Sequence, residues 1–475
     1  MTSHDNSQKQ LTELLDNAPM RRIHYRIWLL SAGGTILDGF TIFTIGIALP
    51  LIITQFQIDP FFTGMIASAI VLGAVVGSYS GGVLADRIGR RKVFVYDMML
   101  ITFAVAAVSV SPDPYLLLLF QFFVGIGIGM DFPTASAYVS EFMPAVKRSR
   151  MLAATIAFQA VGMVLASIIG FTILERIDSV EAWRYMVAVT FIPALIILVL
   201  RSFLPESARW LMMKGRNIEA GEVISKILPE KAGEIMKLAE SAGSTDDKIN
   251  ESRSGYEILF SKPYLKRTVL TAGGWFFMDI ATYGIGLFTP VILTALAFSE
   301  AGEGLISRDI LSAEGAGIID IFLLAGFLLG IWLIPRFGPV KMQAFGFAGM
   351  VIGMLVLVLH EVIGGTSNII VFAGFILFNI TMNMGPNSTT FMLPAELYPT
   401  KLRATGGGFA ASFAKIGASI GIFFLPGVKA ALGITTILLI MAGCALVGFL
   451  ITIIFGIRTK GKSLEEASDY HTPVN

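Results

Sequence analysis

Glu141-Phe142-Met143-Pro144-Ala145-Val146-Lys147-Arg148 and Glu396-Leu397-Tyr398-Pro399-Thr400-Lys401-Leu402-Arg403 share the pattern E-x-x-P-x-x-x-R, 255 residues apart, each just after a long apolar run. The likeness reaches upstream: both copies end a Gly- and Pro-containing apolar segment, Gly125 to Pro133 in the first and Gly385 to Pro394 in the second. A repeat at about half the chain length, attached to apolar runs, marks a duplicated membrane fold.

Composition points the same way. The 475 residues are 55% hydrophobic and 15% charged, with mean hydropathy +0.74, whereas a soluble domain carries about 25% charged residues. Runs long enough to cross about 30 Å of hydrocarbon, roughly 20 residues each, fall near residues 27–53, 61–84, 93–111, 115–140, 151–174 and 184–204. A second six follow near 268–297, 314–335, 342–360, 369–394, 405–428 and 433–456. The expectation is an all-α membrane protein of twelve transmembrane helices in two pseudo-symmetric six-helix halves. Residues 1–204 form the first half, 205–267 a connector with short surface helices and a Gly/Ser/Asp-rich tip, and 268–475 the second half and tail. The first run is too long, and too lacking in a small-residue cleavage site, to be a removed signal peptide.

Net charge is +1, which gives no case for nucleic-acid binding. Lys and Arg instead report topology: Arg21, Arg22, Arg87, Arg90, Arg91, Lys147, Arg148, Arg336, Lys341, Lys401, Arg403, Arg458 and Lys460 all fall on one side of the spans. By the positive-inside rule that side is cytoplasmic, with both termini. The opposite loops carry Asp59, Asp113, Asp178, Glu300, Glu303 and Glu361. Cys444 is the only cysteine and the four histidines are scattered, so no disulfide framework, metal site or cofactor is expected. No nucleophile–base pair stands out either, so the chain is not expected to be an enzyme.

Gly82-Val83-Leu84-Ala85-Asp86-Arg87-Ile88-Gly89-Arg90-Arg91-Lys92 lies between the second and third runs. It resembles the signature loop of the major facilitator superfamily. Pro205-Glu206-Ser207-Ala208-Arg209-Trp210-Leu211 and the tail Thr459-Lys460-Gly461-Lys462-Ser463-Leu464-Glu465-Glu466 are similar to marks of its sugar-porter branch. The resemblance implies a secondary transporter. Physically, Asp86, Glu141, Glu206 and Glu396 with Arg87, Arg90, Arg148, Arg209 and Arg403 stand at the cytoplasmic helix ends, where carboxylate–guanidinium pairs can close a gate. The plain alternative is surface pairs worth about 0–1 kcal/mol each. The second-half copy of the loop is degraded, with Pro335 ahead of Arg336 and Gly338.

Ionisable residues inside spans are costly and point to function. Asp38, Asp131, Asp279, Asp320 and Lys415 are the deep ones, Lys415 being read as the sole deep cation. Trp275, Asp279 and Tyr283 follow i, i+4, i+8 spacing, which puts an indole, a carboxyl and a phenol on one helical face. The glycines Gly125, Gly127 and Gly129 read as close helix packing. Three stretches resemble the phosphate:proton symporters: Gly129-Met130-Asp131-Phe132-Pro133 with Gln159, Trp275 to Gly284, and Gly385 to Phe391 with Lys415. That resemblance implies substrate contacts at Gln159, Trp275, Asp279, Tyr283, Asn387 and Lys415. It departs at Thr41, Gln121 and Phe132, where those symporters usually carry aspartate, arginine and tyrosine. Raised proton affinity of buried carboxyls makes Asp38 and Asp131 the proton-coupling candidates. The expected activity is proton-coupled symport of a small metabolite across the cell membrane by a monomer. Inorganic phosphate is favoured over a sugar or organic acid.

Overall fold

Hydrocarbon offers backbone amides and carbonyls no water, so each apolar run must close its hydrogen bonds internally, as a helix does. The computed structural model describes residues 3–177, 179–243, 255–286, 305–364 and 367–469, and no strand occurs among them. Asp178, Glu300, Glu303, most of the connector tip and the end of the run expected at 268–297 lie outside the described residues, as does the side chain of Asp320.

Two contact units emerge. The first is built from the chain up to Arg267 with Phe391–Ser412 and the tail from Gly461. It opens with α1 (Ser3–Asp16), followed by α2 (Arg22–Phe56), α3 (Pro60–Ile88), α4 (Arg90–Ser109), α5 (Pro114–Phe142) and α6 (Ala145–Arg176). The short helices α7 (Ala182–Val189) and α8 (Phe191–Ser202) together make the sixth span. The connector folds as α9 (Ala208–Met213), α10 (Asn217–Ile227), α11 (Ala232–Ser241), α12 (Gly255–Leu259) and α13 (Lys262–Thr268). Local sequence sets several starts. Asp59 accepts the Phe62 N–H at 2.7 Å with Pro60 as the first helical residue, and Asp113 accepts from Tyr115 and Leu116 ahead of Leu117.

Inside this unit α3 and α5 meet along a glycine seam. A Cβ on Gly77 would stand 2.0 Å from the Ile126 carbonyl oxygen, and one on Gly125 2.1 Å from that of Ile70. Backbones this close admit only glycine, which gives Gly125 and Gly129 the packing role read from the sequence.

The second unit begins with a turn of π-helix, Val269–Gly273, leading into α14 (Gly274–Gly286). It continues through α15 (Leu305–Phe337), α16 (Pro339–Val362) and α17 (Asn368–Met384). Gly385 leaves helical geometry and a further helix, α18 (Pro386–Leu397), starts at the next proline. The last long helix, α19 (Arg403–Phe455), is interrupted by Gly433 at φ 79°, which splits it into two spans. The tail, which belongs with the first unit, carries α20 (Leu464–Ser468), opened by a reciprocal Ser463–Glu466 capping box.

Ten helices among the described residues are long and apolar enough to cross a membrane, and Ile321–Phe337 is a shorter apolar helix. With α14, which lies within the run expected at 268–297, each of the twelve expected runs carries helix among the described residues. The N-terminal α1 is an addition that the hydropathy reading passes over.

Candidate functional site

The repeated E-x-x-P-x-x-x-R motif converges on Glu141. Arg90 from α4 and Arg403 from α19 both donate to its Oε1, at 2.9 and 2.8 Å. Arg90 also reaches Asp86 Oδ1 at 2.9 Å and the Thr400 carbonyl at 2.8 Å. Asp86 in turn accepts the N–H groups of Ala404 and Thr405, at 3.3 and 2.7 Å. These are among the first amides of α19, where the helix dipole favours an anion. A glutamate of the first repeat thus pairs with the arginine of the second, on side chains that are almost wholly buried.

The other expected gate residues divide. Glu206 caps α4 rather than pairing with a guanidinium: its Oε1 accepts from the Arg90, Arg91 and Ser207 amides at 3.0, 3.4 and 2.9 Å. Burial nevertheless pushes its carboxyl above the ordinary glutamate range. Gly89, at φ +109°, makes that approach possible, since a Cβ there would lie 2.3 Å from Glu206 Oε2. Arg148 donates to the Ser140 carbonyl at 2.9 Å and to Asp16, while Glu396 accepts from Ser149 at 3.2 Å. Arg209 is gripped by Asp16 at 2.7 Å and by Glu465. Burial opposes the Arg209 charge, but Glu465 and Asp16 more than offset it and hold the guanidinium above its usual range. Arg87 is exposed and has no ion pair among the described residues.

A second buried group lies deeper in the same unit. Arg201 on α8 donates to Asp131 Oδ1 at 2.5 Å and approaches Asp97 Oδ1 at 3.4 Å, all three side chains having no exposure. Its remaining donors reach the Leu30 and Ser31 carbonyls, and the Phe94 ring lies 4.1 Å beneath the guanidinium. Asp38 is fully buried and within electrostatic reach of Arg201. Lys415 is therefore not the only deep cation. Arg201, near the end of an apolar run, corrects that reading. Gln159, on α6, is nearly buried, with its carbonyl against Gly39 of α2.

In the second unit the i, i+4, i+8 face of α14 meets α19. Lys415 Nζ donates to Asp279 Oδ2 at 2.9 Å and to Tyr283 Oη at 3.1 Å, and stands 4.8 Å from the Tyr283 ring centroid. The Trp275 side chain also hydrogen-bonds Asp279. Phe276 stacks on Phe413 at 4.6 Å and its carbonyl lies against Gly417, which fixes the register of the two helices. Four of the six expected substrate contacts thus form one cluster. Asn387 instead donates to Asn383 Oδ1 at 2.8 Å, and Asn383 to the Asn379 carbonyl, in a ladder along α17 and α18. Among the described residues no group of His, Cys, Asp and Glu is arranged to hold a metal ion.

Sequence reasoning passed over Asp16, Asp97 and Arg201. The last two carried a readable signal, a charge inside an apolar run; Asp16 lies ahead of the first run and carried none.

Helices that span a membrane, a duplicated motif closing on one buried carboxylate, and ionisable pairs at depth define a membrane carrier of the major facilitator fold. The chain belongs to the Sugar (and other) transporter family, whose match runs over residues 28–470. It is 30% identical over 455 residues to the Escherichia coli (strain K12) inner membrane metabolite transport protein YgcS, with 96% of each chain covered. It is 29% identical over 520 residues to the "Probable inorganic phosphate transporter 1-12" of Oryza sativa subsp. japonica, covering 97% of this chain and 94% of the relative. Among solved structures, the major facilitator proton:xylose symporter XylE bound to 6-bromo-6-deoxy-D-glucose superposes with a TM-score of 0.79 at 19% identity. That likeness covers 94% of this chain and 98% of XylE.

Proposed function

We propose that the protein is a proton-coupled symporter of a small metabolite anion, with inorganic phosphate as the favoured substrate. The observation that carries this is the buried Lys415–Asp279 pair, flanked by Tyr283 and Trp275. Empty, the pair is neutral and satisfies itself. A proton delivered to Asp279 would free Lys415 for an anion, so that proton and anion enter together with little change in buried charge. Trp275, Tyr283, Gln159 and Asn387 would supply neutral donors. Arg201 faces Asp97 and Asp131 with Asp38 nearby, a surplus of carboxylates over cations, which is where a coupling proton would be taken up.

The Glu141–Arg90–Arg403 cluster with Asp86 would serve as the cytoplasmic gate, with both termini on that side, and residues 1–204 and 268–475 as the two halves joined by 205–267. The plant phosphate transporters among the relatives support the anion reading. A neutral sugar is favoured by one specific finding: Lys415 already has a carboxylate partner and does not need an anion to compensate it; an organic acid would use the pair as phosphate would. Uptake of labelled phosphate, hexoses and organic acids into proteoliposomes, with and without an inward proton gradient, tests the proposal. Gradient-driven phosphate accumulation abolished by Lys415→Ala is the expected result. Saturable sugar uptake indifferent to excess phosphate and to Lys415→Ala would overturn it.

A further inference from the structure

Both ends of the chain close on one side chain. Asp16, the last residue of α1, lies 2.7 Å from Arg209 Nη2 and also pairs with Arg148. Glu465, on α20 in the tail, pairs with the other terminal nitrogen of Arg209. Arg209 Nε donates in addition to the Glu141 carbonyl, at 3.3 Å. The backbone of Glu141, the residue whose carboxylate centres the charge cluster, is therefore one hydrogen bond from a clasp made by Asp16 and Glu465. The family match begins at residue 28, so α1 stands outside it.

The segment is built to hold Asp16 in place. Leu11 and Leu15, one turn apart, are almost completely buried, and Gln8 Nε2 donates to Asn217 Oδ1 on α10 at 3.2 Å. Asp16 is 8% exposed and accepts from two arginines that are themselves buried. A carboxylate ordered at that desolvation cost does more than hold down a chain end. It stands where one would expect an acidic partner for Arg148, the arginine of the first repeat motif.

We infer that Asp16 is a positioning residue of the transport cycle: it holds Arg148 and Arg209 in the arrangement that keeps the Glu141 cluster closed. The N-terminal helix is thus a working part of the gate. This rests on reading that cluster as a gate. Opening requires Arg209 to leave the clasp, so neutralising Asp16 shifts the protein toward the state open on that face.

Ser136 gives the readout. It lies on α5 five residues before Glu141 and is 4% exposed. With Ser136→Cys in a Cys444→Ser background, a bulky hydrophilic maleimide in detergent reports opening. Asp16→Asn should raise the labelling rate about tenfold, the order expected from losing charge-assisted hydrogen bonds. Asp16→Glu should return it to within about twofold. Leu15→Ala, which loosens α1 without touching the charges, should raise it in the same direction and stands in if Asp16→Asn does not accumulate. Glu141→Gln separates the two readings. If it raises labelling while Asp16→Asn and Leu15→Ala do not, the inference about Asp16 falls and the gate stands. If none of them raises labelling, the gate reading falls and takes the inference with it. A rise that Asp16→Glu fails to reverse also overturns the inference, because it reports disruption rather than positioning.

Discussion

Lys415→Met and Asp279→Asn, singly and together, form the most informative perturbation. The two groups are 6% and 3% exposed and 2.9 Å apart. Removing one partner of such a pair leaves an uncompensated buried charge and costs about 3–5 kcal/mol, whereas replacing both is often close to neutral. At about 2–4 °C per kcal/mol for a unit of this size, each single variant should lower the unfolding temperature by roughly 6–20 °C. The double variant should recover most of that loss, giving a coupling energy well above the scatter of about 0.5 kcal/mol seen for independent sites. Thermal unfolding of the purified protein in detergent supplies the cycle, and uptake in proteoliposomes supplies the second axis. If the pair carries coupling, the double variant folds and inserts yet accumulates nothing against a gradient. Additive losses in the cycle would refute the ion pair as a unit. A double variant that still concentrates substrate with a proton gradient would refute its role in coupling.

Glu141→Gln and Arg403→Gln should each reduce transport at least tenfold while ligand affinity in detergent changes less than about threefold, because they bias a conformational equilibrium rather than the pocket; parallel loss of both quantities counts against a gate. Asp97→Asn should flatten the dependence of uptake on external pH as strongly as Asp131→Asn, since both carboxylates face Arg201, and pH profiles of initial rates check it. Glu465 is half-exposed; burial works against its charge, but Arg209 holds its carboxyl below the usual glutamate range. Its contribution is therefore full above the unfolded value near 4.5 and is lost as pH falls through the lower folded value. Limited proteolysis of the tail should be flat from pH 8 to 5 and rise only in stronger acid. Gly77→Leu should abolish membrane accumulation, read by immunoblot, because its side chain would enter the backbone of α5.

Much of this architecture was legible because hydrocarbon leaves so few options. A run of twenty apolar residues has to be a helix, and the E-x-x-P-x-x-x-R repeat gave the duplication. The i, i+4, i+8 spacing from Trp275 to Tyr283 placed three side chains on one face, and α14 presents that face to Lys415. What the spacing could not give was the partner across the helix pair. The sequence leaves Lys415 open between an anionic ligand and a carboxylate, Asp38 or Asp279, and the fold pairs it with Asp279. Arg201 was hidden for a related reason: hydropathy averaging absorbs one arginine in a run such as Leu195 to Leu204, though its buried contacts with Asp97 and Asp131 matter more than the average. Glu206 looked like a guanidinium partner, but past the positive φ of Gly89 the amides of Arg90 and Arg91 meet it, beside that of its own neighbour Ser207. The α1 helix has too little apolar length to register as a span, so its docking on the connector had no one-dimensional trace.

The two deep charge groups differ in a way that bears on coupling. Lys415 and Asp279 balance one for one, so on the proposed reading that site would accept an anion together with a proton. Arg201 faces two carboxylates, with a third nearby, so that site is short of positive charge, and on the proposed reading it is where the coupling proton would enter as Arg201 is drawn away. Arg201 also donates to the Leu30 and Ser31 carbonyls, so any bend or shift of α2 moves the guanidinium relative to Asp131. Gly34 of the same helix presses on that pair: a Cβ there would lie 2.0 Å from Asp131 Oδ2 and 2.3 Å from Arg201 Nη2. On the proposed reading, movement of the first span and proton uptake are then one event. A substitution as small as Gly34→Ala should uncouple them, leaving downhill exchange of substrate measurable in counterflow while gradient-driven accumulation is lost. Retention of full accumulation in that variant would place the coupling proton elsewhere.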